Sequence, residues 1–312
     1  MEQLENNPNG NRLGPSINEP NLVRAIKTSG YPLQGIVADK LKETFAVSEE
    51  WGYLDRDTKE HRSLDLFAYR KLPDEDRIYP AAVLLIECKR SINPYVFFTN
   101  VVERDIPRFP RISGLTYQSV SLQEKGTNRT LQSTAGAVLG LLDQSFVRPG
   151  PPRCSAFAMA MVQGDKVNLS GQEPYNSLIL PLVKAIDHTN SLYIAHEAPP
   201  PHRVLYPTMI LAIGVLDAPM LVVREPTKAE PMLAPWVRVP RQEARSDHRQ
   251  ISNVHYVVDM VHADFLDAFL TLHLTPFLNE FASRAAGQSA VLQAGGEVES
   301  LDNWKWDLIK PR

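Results

Sequence analysis

Hydrophobic positions in the first third of the chain change from one spacing to another. Residues 33–45 place apolar side chains three or four positions apart, the spacing of one helix face. Residues 46–54 form a candidate strand, residues 63–70 alternate as a strand does, and the run at 81–89 is nearly all apolar. The pattern therefore predicts a helix and three strands, the last covered on both faces.

The rest of the chain adds further helices and strands. The predicted elements are helices at 21–28, 173–188 and 263–283 and strands at 156–162, 208–213, 220–223 and 254–261. Pro181 is expected to kink the helix that contains it. The 25 prolines concentrate in connections and predict long Pro-rich loops. This order predicts an α/β fold with a mixed central sheet flanked by helices.

The domain organisation follows from where these elements stop. We expect one α/β domain at 19–283, because no break in composition divides the elements it contains. Residues 1–18 are rich in Asn, Gly and Pro and are expected to form a disordered leader. Residues 284–312 are expected to form a C-terminal tail, near whose end Trp304 and Trp306 are candidates to dock.

The charge balance limits how the protein can bind nucleic acid. The 312 residues carry 33 Lys and Arg against 36 Asp and Glu, a net charge of −3. Non-specific binding to nucleic acid depends on neutralising phosphates and usually shows a basic excess. A local patch would have to serve instead, and Arg62, Lys71, Arg90 and Lys184 are candidates. Solvated charges at strand ends and on helix faces are the ordinary alternative.

Two cysteines and the hydropathy of the chain indicate the compartment. Cys88 and Cys154 cannot form a disulfide framework, and no Cys/His cluster has zinc spacing. No uninterrupted apolar run reaches the ~20 residues of a membrane helix. The first residues lack the order of a signal peptide. We therefore expect a cytoplasmic protein with no membrane partner.

Three charged residues on the predicted strands are candidates for chemistry. Glu87 and Lys89 project from one face of their strand, whereas Cys88 faces the apolar side and is expected to be a buried, inert thiol. Charge at the end of a buried strand is costly unless it is compensated. If Asp65 lies beside Glu87, the two carboxylates offer the hard oxygen ligands that Mg²⁺ accepts. Lys89 would then offset the charge of a phosphate.

These residues resemble the PD-(D/E)xK superfamily of restriction-endonuclease-like nucleases over roughly residues 25–100. Asp65 matches the aspartate of the motif, with Leu64 in place of its proline, and Glu87 and Lys89 match ExK. The resemblance implies a restriction-endonuclease-like core with its catalytic motif region at 31–100. It also implies Mg²⁺ or Mn²⁺ held by Asp65 and Glu87, and Lys89 as the catalytic lysine.

One position departs from the pattern of this superfamily. Many relatives carry a metal-binding glutamate on the preceding helix, where this chain has Gln34. A neutral amide adds no charge, which predicts weak affinity for a second metal ion. Gln34 is either a fourth member of the site or a surface amide on the helix.

The resemblance implies a metal-dependent nuclease that hydrolyses phosphodiester bonds, with DNA as the expected partner. RNA as the substrate and a homodimer as the assembly are further possibilities that the sequence does not decide. A second hypothesis is a nuclease-fold protein with weak or no activity that serves as a nucleic-acid-binding or scaffold module. A third is an unrelated α/β protein in which Glu87 and Lys89 form an ordinary ion pair.

Three aromatic residues follow the strand that carries Glu87 and Lys89. Tyr95, Phe97 and Phe98 are either base-stacking residues or, more commonly for aromatics after a central strand, part of the core.

Overall fold

The fold is described from a computed structural model of the chain. The model describes residues 3–75, 77–99, 110–115, 119–123, 130–154, 156–193, 204–225, 227–247, 250–289, 292 and 297–299. The predicted docking of Trp304 and Trp306 lies outside these residues. In the predicted leader, residues 3–18 contain turns and no helix or strand.

In chain order the elements are α1 (Glu19–Thr28), α2 (Tyr31–Lys42), β1 (Ala46–Leu54), β2 (His61–Lys71), β3 (Ala81–Arg90), β4 (Tyr95–Phe98), β5 (Arg111–Ser113), β6 (Ser119–Gln123), β7 (Thr130–Thr134), α3 (Ala135–Val138), a 3-10 turn (Leu141–Asp143), β8 (Ala156–Gln163), β9 (Lys166–Ser170), α4 (Gln172–Pro174), a π turn (Tyr175–Ile179), α5 (Leu180–Leu192), β10 (Thr208–Asp217), β11 (Met220–Val223), β12 (Pro231–Leu233), β13 (Trp236–Asp247), β14 (Gln250–His262), a 3-10 turn (Ala263–Phe265), α6 (Leu266–Ala268), a π turn (Phe269–Leu274), α7 (Thr275–Gly287) and β15 (Glu297–Glu299).

A seven-stranded mixed sheet forms the centre of the described structure. Its strand order is β1-β2-β3-β10-β14-β13, and β5 pairs with the beginning of β10. The first three strands are antiparallel, whereas β3, β10 and β14 run parallel to one another. β3 is therefore an interior strand, and eight of its ten residues are buried. The predicted mixed α/β sheet with flanking helices is confirmed.

The two faces of β3 pack against different hydrophobic cores. Leu84, Ile86 and Cys88 lie in a core shared with buried residues of α2 and α7. Val83 and Leu85 lie in a second core shared with α5 and with one face of a five-stranded sheet of order β12-β11-β4-β8-β9. The end of β3 is thus held from both sides by packed elements. The predicted burial of Cys88 is confirmed, and burial raises the pKa of its thiol.

Two long helical segments each contain a wider turn just before a proline. The π turns at Tyr175–Ile179 and Phe269–Leu274 are followed by Pro181 and Pro276. Proline has no N–H to donate, and its ring crowds the carbonyl four residues earlier, so the backbone widens there. The irregularity expected at Pro181 takes this form. Among the described helices, none is both long and apolar enough to cross a bilayer.

The bounds of one predicted element differ from the structure in a way that bears on the site. The helix expected at 33–45 begins at Tyr31 and ends at Lys42. Phe45 leaves the helix and is buried in the core instead. The first turn of α2 therefore lies two residues earlier than expected, close to the end of β3.

Candidate active site

Asp65 and Glu87 lie opposite each other on two antiparallel strands. The register of β2 and β3 pairs Leu66 with Ile86. Asp65 and Glu87 are the next residues of β2 and β3, so the antiparallel pairing brings them to the same end of the sheet. Lys89 follows two positions later on the same side as Glu87. The predicted convergence of these three residues is therefore present in the structure.

A single ammonium group connects the two carboxylates. Lys89 Nζ donates to Glu87 Oε2 at 2.7 Å and lies 3.9 Å from Asp65 Oδ2. The two oxygens are therefore less than about 7 Å apart, a separation that a small side-chain adjustment could close around one divalent ion. Asp65 Oδ2 also accepts a hydrogen bond from the Cys88 backbone N–H at 2.7 Å. That bond fixes the aspartate against β3.

The regular alternation of side chains along β2 is interrupted at Asp65. Leu64 packs in the core that contains Val83, whereas Leu66, two positions later, packs in the opposite core. In the register of β1 and β2, Asp65 faces Glu50, and the two do not form a regular pair. Glu50 has a φ of +49°, in the left-handed region. Such backbone irregularities recur at functional sites, where they redirect a side chain.

The electrostatics of the site favour an additional cation. Glu87 is only 4% exposed. Burial raises its pKa to about 7, with Lys89 opposing the rise and the charge of Asp65 adding to it. Burial would lower the pKa of Lys89, but Glu87 and Asp65 outweigh it and the pKa is raised. Two carboxylates beside one ammonium leave a net negative charge once Glu87 is ionised, so the residues fit a divalent ion.

Gln34 lies beside Asp65 and not on the surface of α2. Its side chain is buried, and Nε2 donates to the backbone carbonyl of Asp65 at 3.1 Å. The alternative of an exposed surface amide is therefore wrong. Gln34 supports the backbone that carries Asp65, and it adds no negative charge to the site.

The possible ligand set consists of two carboxylates. In the part of the chain that the structure describes, no three His, Cys, Asp or Glu side chains are grouped so as to hold a metal ion. Asp65 and Glu87 alone would be an incomplete shell for Zn²⁺. Two carboxylates do suit Mg²⁺, which usually completes its shell with water and substrate phosphate oxygens.

The candidate basic patch is largely neutralised by acidic partners. Arg90 Nε contacts Asp217 Oδ2 at 2.6 Å, and Arg62 Nε contacts Asp55 Oδ2 at 2.9 Å. Lys184 contacts Asp57. Lys71 is paired with Asp74, and because it lies opposite Ala81 at the beginning of β3 it is far from Glu87 and does not flank the site. Because all four predicted cations are paired in this way, they do not form a strongly basic groove, and phosphate binding at the site would depend on Lys89.

The proposed stacking role of the aromatics after β3 is not supported for two of them. Tyr95 and Phe97 are buried in the second core, and only Phe98 is partly exposed. Burial raises the pKa of Tyr95 to about 12. The interpretation of these residues as core is correct for Tyr95 and Phe97.

Comparison with known proteins adds no further constraint. The chain matches no family model, no curated protein and no solved structure. The interpretation of the site therefore depends on the geometry of Asp65, Glu87 and Lys89.

Three parts of the site were not predicted from the sequence. They are the backbone N–H of Cys88, the left-handed Glu50 and the close approach of Gly30, where an added Cβ would lie 3.4 Å from the Cys88 carbonyl oxygen. Every residue except proline has a backbone N–H, so the amino-acid sequence does not show that the N–H of Cys88 is the one that binds Asp65. Gly30 could have been found, because it is the N-cap of α2 and Pro32 follows in the first turn, a pattern typical of a helix start.

Proposed function

We propose that this protein is a metal-dependent nuclease that hydrolyses phosphodiester bonds in DNA. The observation that carries the proposal is the convergence of Asp65 and Glu87 on the ammonium of Lys89 at the end of an interior strand. Two hard oxygen ligands beside a positive donor are the groups that such hydrolysis requires.

Asp65 and Glu87 would hold Mg²⁺ or Mn²⁺, which when bound supplies Lewis-acid stabilisation of the phosphate and a more acidic water. The Cys88 N–H orients the Asp65 carboxylate, and Gln34 holds the Asp65 carbonyl. Because the pKa of Lys89 is raised, its Nζ keeps its proton near neutral pH. Lys89 therefore acts as a charged donor to a phosphate oxygen or to the attacking water, and not as a base.

The order of elements around the site supports a restriction-endonuclease-like core. α2 precedes the antiparallel strands β1, β2 and β3, and α5 precedes β10, which joins β3 in parallel. This is the arrangement that the PD-(D/E)xK resemblance implies, with Asp65 on the second strand and ExK on the third.

One observation favours a second candidate, a nuclease-fold module that binds nucleic acid without cutting it. Gln34 turns its amide nitrogen to a backbone carbonyl and supplies no third carboxylate. Asp65 and Glu87 would still bind one ion, but a site that needs two ions would be incomplete.

A cleavage assay separates these candidates. Labelled DNA, single-stranded and duplex, is incubated with the protein and Mg²⁺ or Mn²⁺, with wild type compared to Lys89→Ala and to Lys71→Ala. Loss of the charged donor should lower the cleavage rate roughly 10²- to 10³-fold. Lys71 lies at the opposite end of β2 and is 61% exposed, so its variant should cut like wild type.

The outcomes of this assay are distinct. Cleavage that depends on the metal ion and on Lys89 supports the nuclease. Binding of DNA without cleavage above the Lys89→Ala level would favour the binding module. Neither binding nor cleavage would contradict both candidates.

A further inference from the structure

The ammonium of Lys89 contacts the same carboxylate oxygens that a divalent ion would use. Lys89 Nζ donates to Glu87 Oε2 at 2.7 Å and lies 3.9 Å from Asp65 Oδ2. Among the described residues, Lys89 is the only cation that pairs with either carboxylate. One positive charge that pairs with two partly buried negative charges acts as their counter-ion.

The backbone around Lys89 is fixed, so a change at the site can involve its side chain alone. β3 pairs with β10 along its whole length, and Lys89 lies opposite Leu216. The pairing of β3 with β2 ends earlier, at Ile86. Past this point the Cys88 N–H donates to Asp65 Oδ2 at 2.7 Å, which holds the aspartate in place. The Lys89 side chain is 31% exposed and therefore has solvent beside it.

Lys89 and a divalent ion would repel each other if both stayed on Glu87. Mg²⁺ binds oxygen at about 2.0–2.1 Å, so an ion on Glu87 Oε2 would lie within about 5 Å of an ammonium that stayed 2.7 Å from this oxygen. Like charges at this separation repel strongly beside a buried carboxylate such as Glu87. Because the ion carries the larger charge and the lysine side chain has room to turn, Lys89 is the group that moves.

A displaced ammonium has a use in the proposed reaction. Mg²⁺ on two carboxylates completes its shell with water and phosphate oxygens, which then lie beside the site. Two other cations near the site already have partners: Arg90 donates to Asp217 and to the Lys27 carbonyl, and Arg62 contacts Asp55. Lys89 is therefore the cation that metal binding would free for a phosphate.

We propose that Lys89 competes with a divalent ion for Glu87 and Asp65, and that binding of the ion releases the ammonium to the substrate phosphate. This inference rests on the proposed nuclease function. The site then has two states, because Lys89 bridges the carboxylates in one and faces the phosphate in the other. Metal binding and phosphate binding strengthen each other, since both favour the second state.

The release is observed directly by NMR of protein labelled with ¹³C at lysine Cε and titrated with Mg²⁺. The Lys89 signal is assigned from its loss in Lys89→Arg. Its order parameter should fall as Mg²⁺ is added, because the side chain leaves Glu87 and gains motion. Lys71 is the internal control and should not change, since it pairs with Asp74 at the opposite end of β2. An order parameter of Lys89 that stays the same or rises at saturating Mg²⁺ would overturn the proposal.

Isothermal titration calorimetry of Lys89 variants tests the competition independently. The titration is done at about pH 8.5, above the pKa of Glu87, which burial raises to about 7. Lys89→Met should bind Mg²⁺ at least about tenfold more tightly than wild type, because the competing hydrogen bond between charged groups is gone. Lys89→Arg keeps the charge and should gain no affinity. Lys71→Met is the matched control and should bind like wild type.

The results distinguish failure of the competition from failure of the nuclease. Tighter Mg²⁺ binding by Lys89→Met, without cleavage of DNA by wild type, would support the competition and refute the nuclease. Cleavage by wild type, with equal or weaker Mg²⁺ binding by Lys89→Met, would overturn the competition and leave the nuclease standing. If neither wild type nor Lys89→Met binds Mg²⁺, both fail.

Discussion

Glu87 is a carboxylate that its own strand buries. β3 buries the side chain because the strand is interior, and Gly214 occupies the paired position on β10. An added Cβ at Gly214 would lie 2.5 Å from Met260 Sδ, so this side of the strand has little spare room. In these surroundings burial raises the pKa of Glu87 to about 7 despite the adjacent Lys89. Additional positive charge beside Glu87 would therefore favour its ionised form.

This pKa predicts how stability depends on pH in the absence of divalent ions. The folded protein binds the Glu87 proton more tightly than the unfolded chain, so the associated stability is present at low pH and is lost as pH rises from about 4.5 through 7. The loss should reach about 3 kcal/mol. Glu87→Gln should lack this component when urea unfolding is measured between pH 5 and pH 8 with chelator present. Parallel pH profiles for the two proteins would contradict the burial of an ionisable Glu87.

The hairpin of β1 and β2 is positioned by the turn that connects its strands. Asp55 is fully buried and accepts hydrogen bonds from the backbone N–H groups of Asp57 and Thr58, at 2.9 and 3.4 Å. Burial would raise its pKa, but these bonds and the nearby Lys184 and Arg62 hold the pKa below its usual value. Because Lys184 belongs to α5, the turn anchors the hairpin, and therefore Asp65, to the helix beside the site.

Replacing Asp55 tests this anchor. Asp55→Ala should lower the free energy of unfolding by about 1–3 kcal/mol, because two backbone N–H groups and the charges of Arg62 and Lys184 lose their shared buried acceptor. Asp57→Ala is the matched control, since Asp57 is exposed and its ion pair with Lys184 should contribute about 1 kcal/mol or less. Urea unfolding of both variants measures the difference. Equal losses would show that the buried carboxylate has no special role in holding the hairpin.

The elements that the sequence predicted well are those whose burial follows a regular pattern. The bounds of β1 and β11 agree with the structure, and β3 is one residue longer than expected. β13 was missed because the stretch from Trp236 to Asp247 is mostly polar and contains Pro240. It forms a strand through its long antiparallel pairing with β14, which no local pattern reveals. The candidate site was predictable in Asp65, Glu87 and Lys89, but the inward position of Gln34 depended on tertiary packing.

At the scale of the molecule, the seven-stranded and five-stranded sheets of the described residues pack around two cores, and a buried ion pair stabilises the far edge of the larger sheet. Arg238 and Asp259 are both almost fully buried and contact each other at 2.8 and 3.0 Å. Trp236 Nε1 donates to Asp259 as well, and Arg238 donates to the carbonyl of Phe146. The pair therefore joins β13, β14 and the segment before β8.

Breaking this pair should affect the whole fold. Asp259→Ala leaves the Arg238 charge buried and should lower the free energy of unfolding by about 3–5 kcal/mol. The double variant Arg238→Met with Asp259→Leu removes both charges and should lose much less. Urea unfolding measures both values. A double variant as unstable as the single one would contradict the claim that the unpaired, buried charge of Arg238 causes the loss.

The convergence of Asp65 and Glu87 on one cation is tested most directly by isothermal titration calorimetry with Mn²⁺. Wild type is compared with Asp65→Asn, with Glu87→Gln and with Asp74→Asn, whose exposed carboxylate pairs with Lys71 at the opposite end of β2. The predicted result is one Mn²⁺ site in wild type and in Asp74→Asn, with affinity weakened at least about tenfold in the two site variants. Equal binding by all four proteins, or no binding by wild type, would contradict the proposed site.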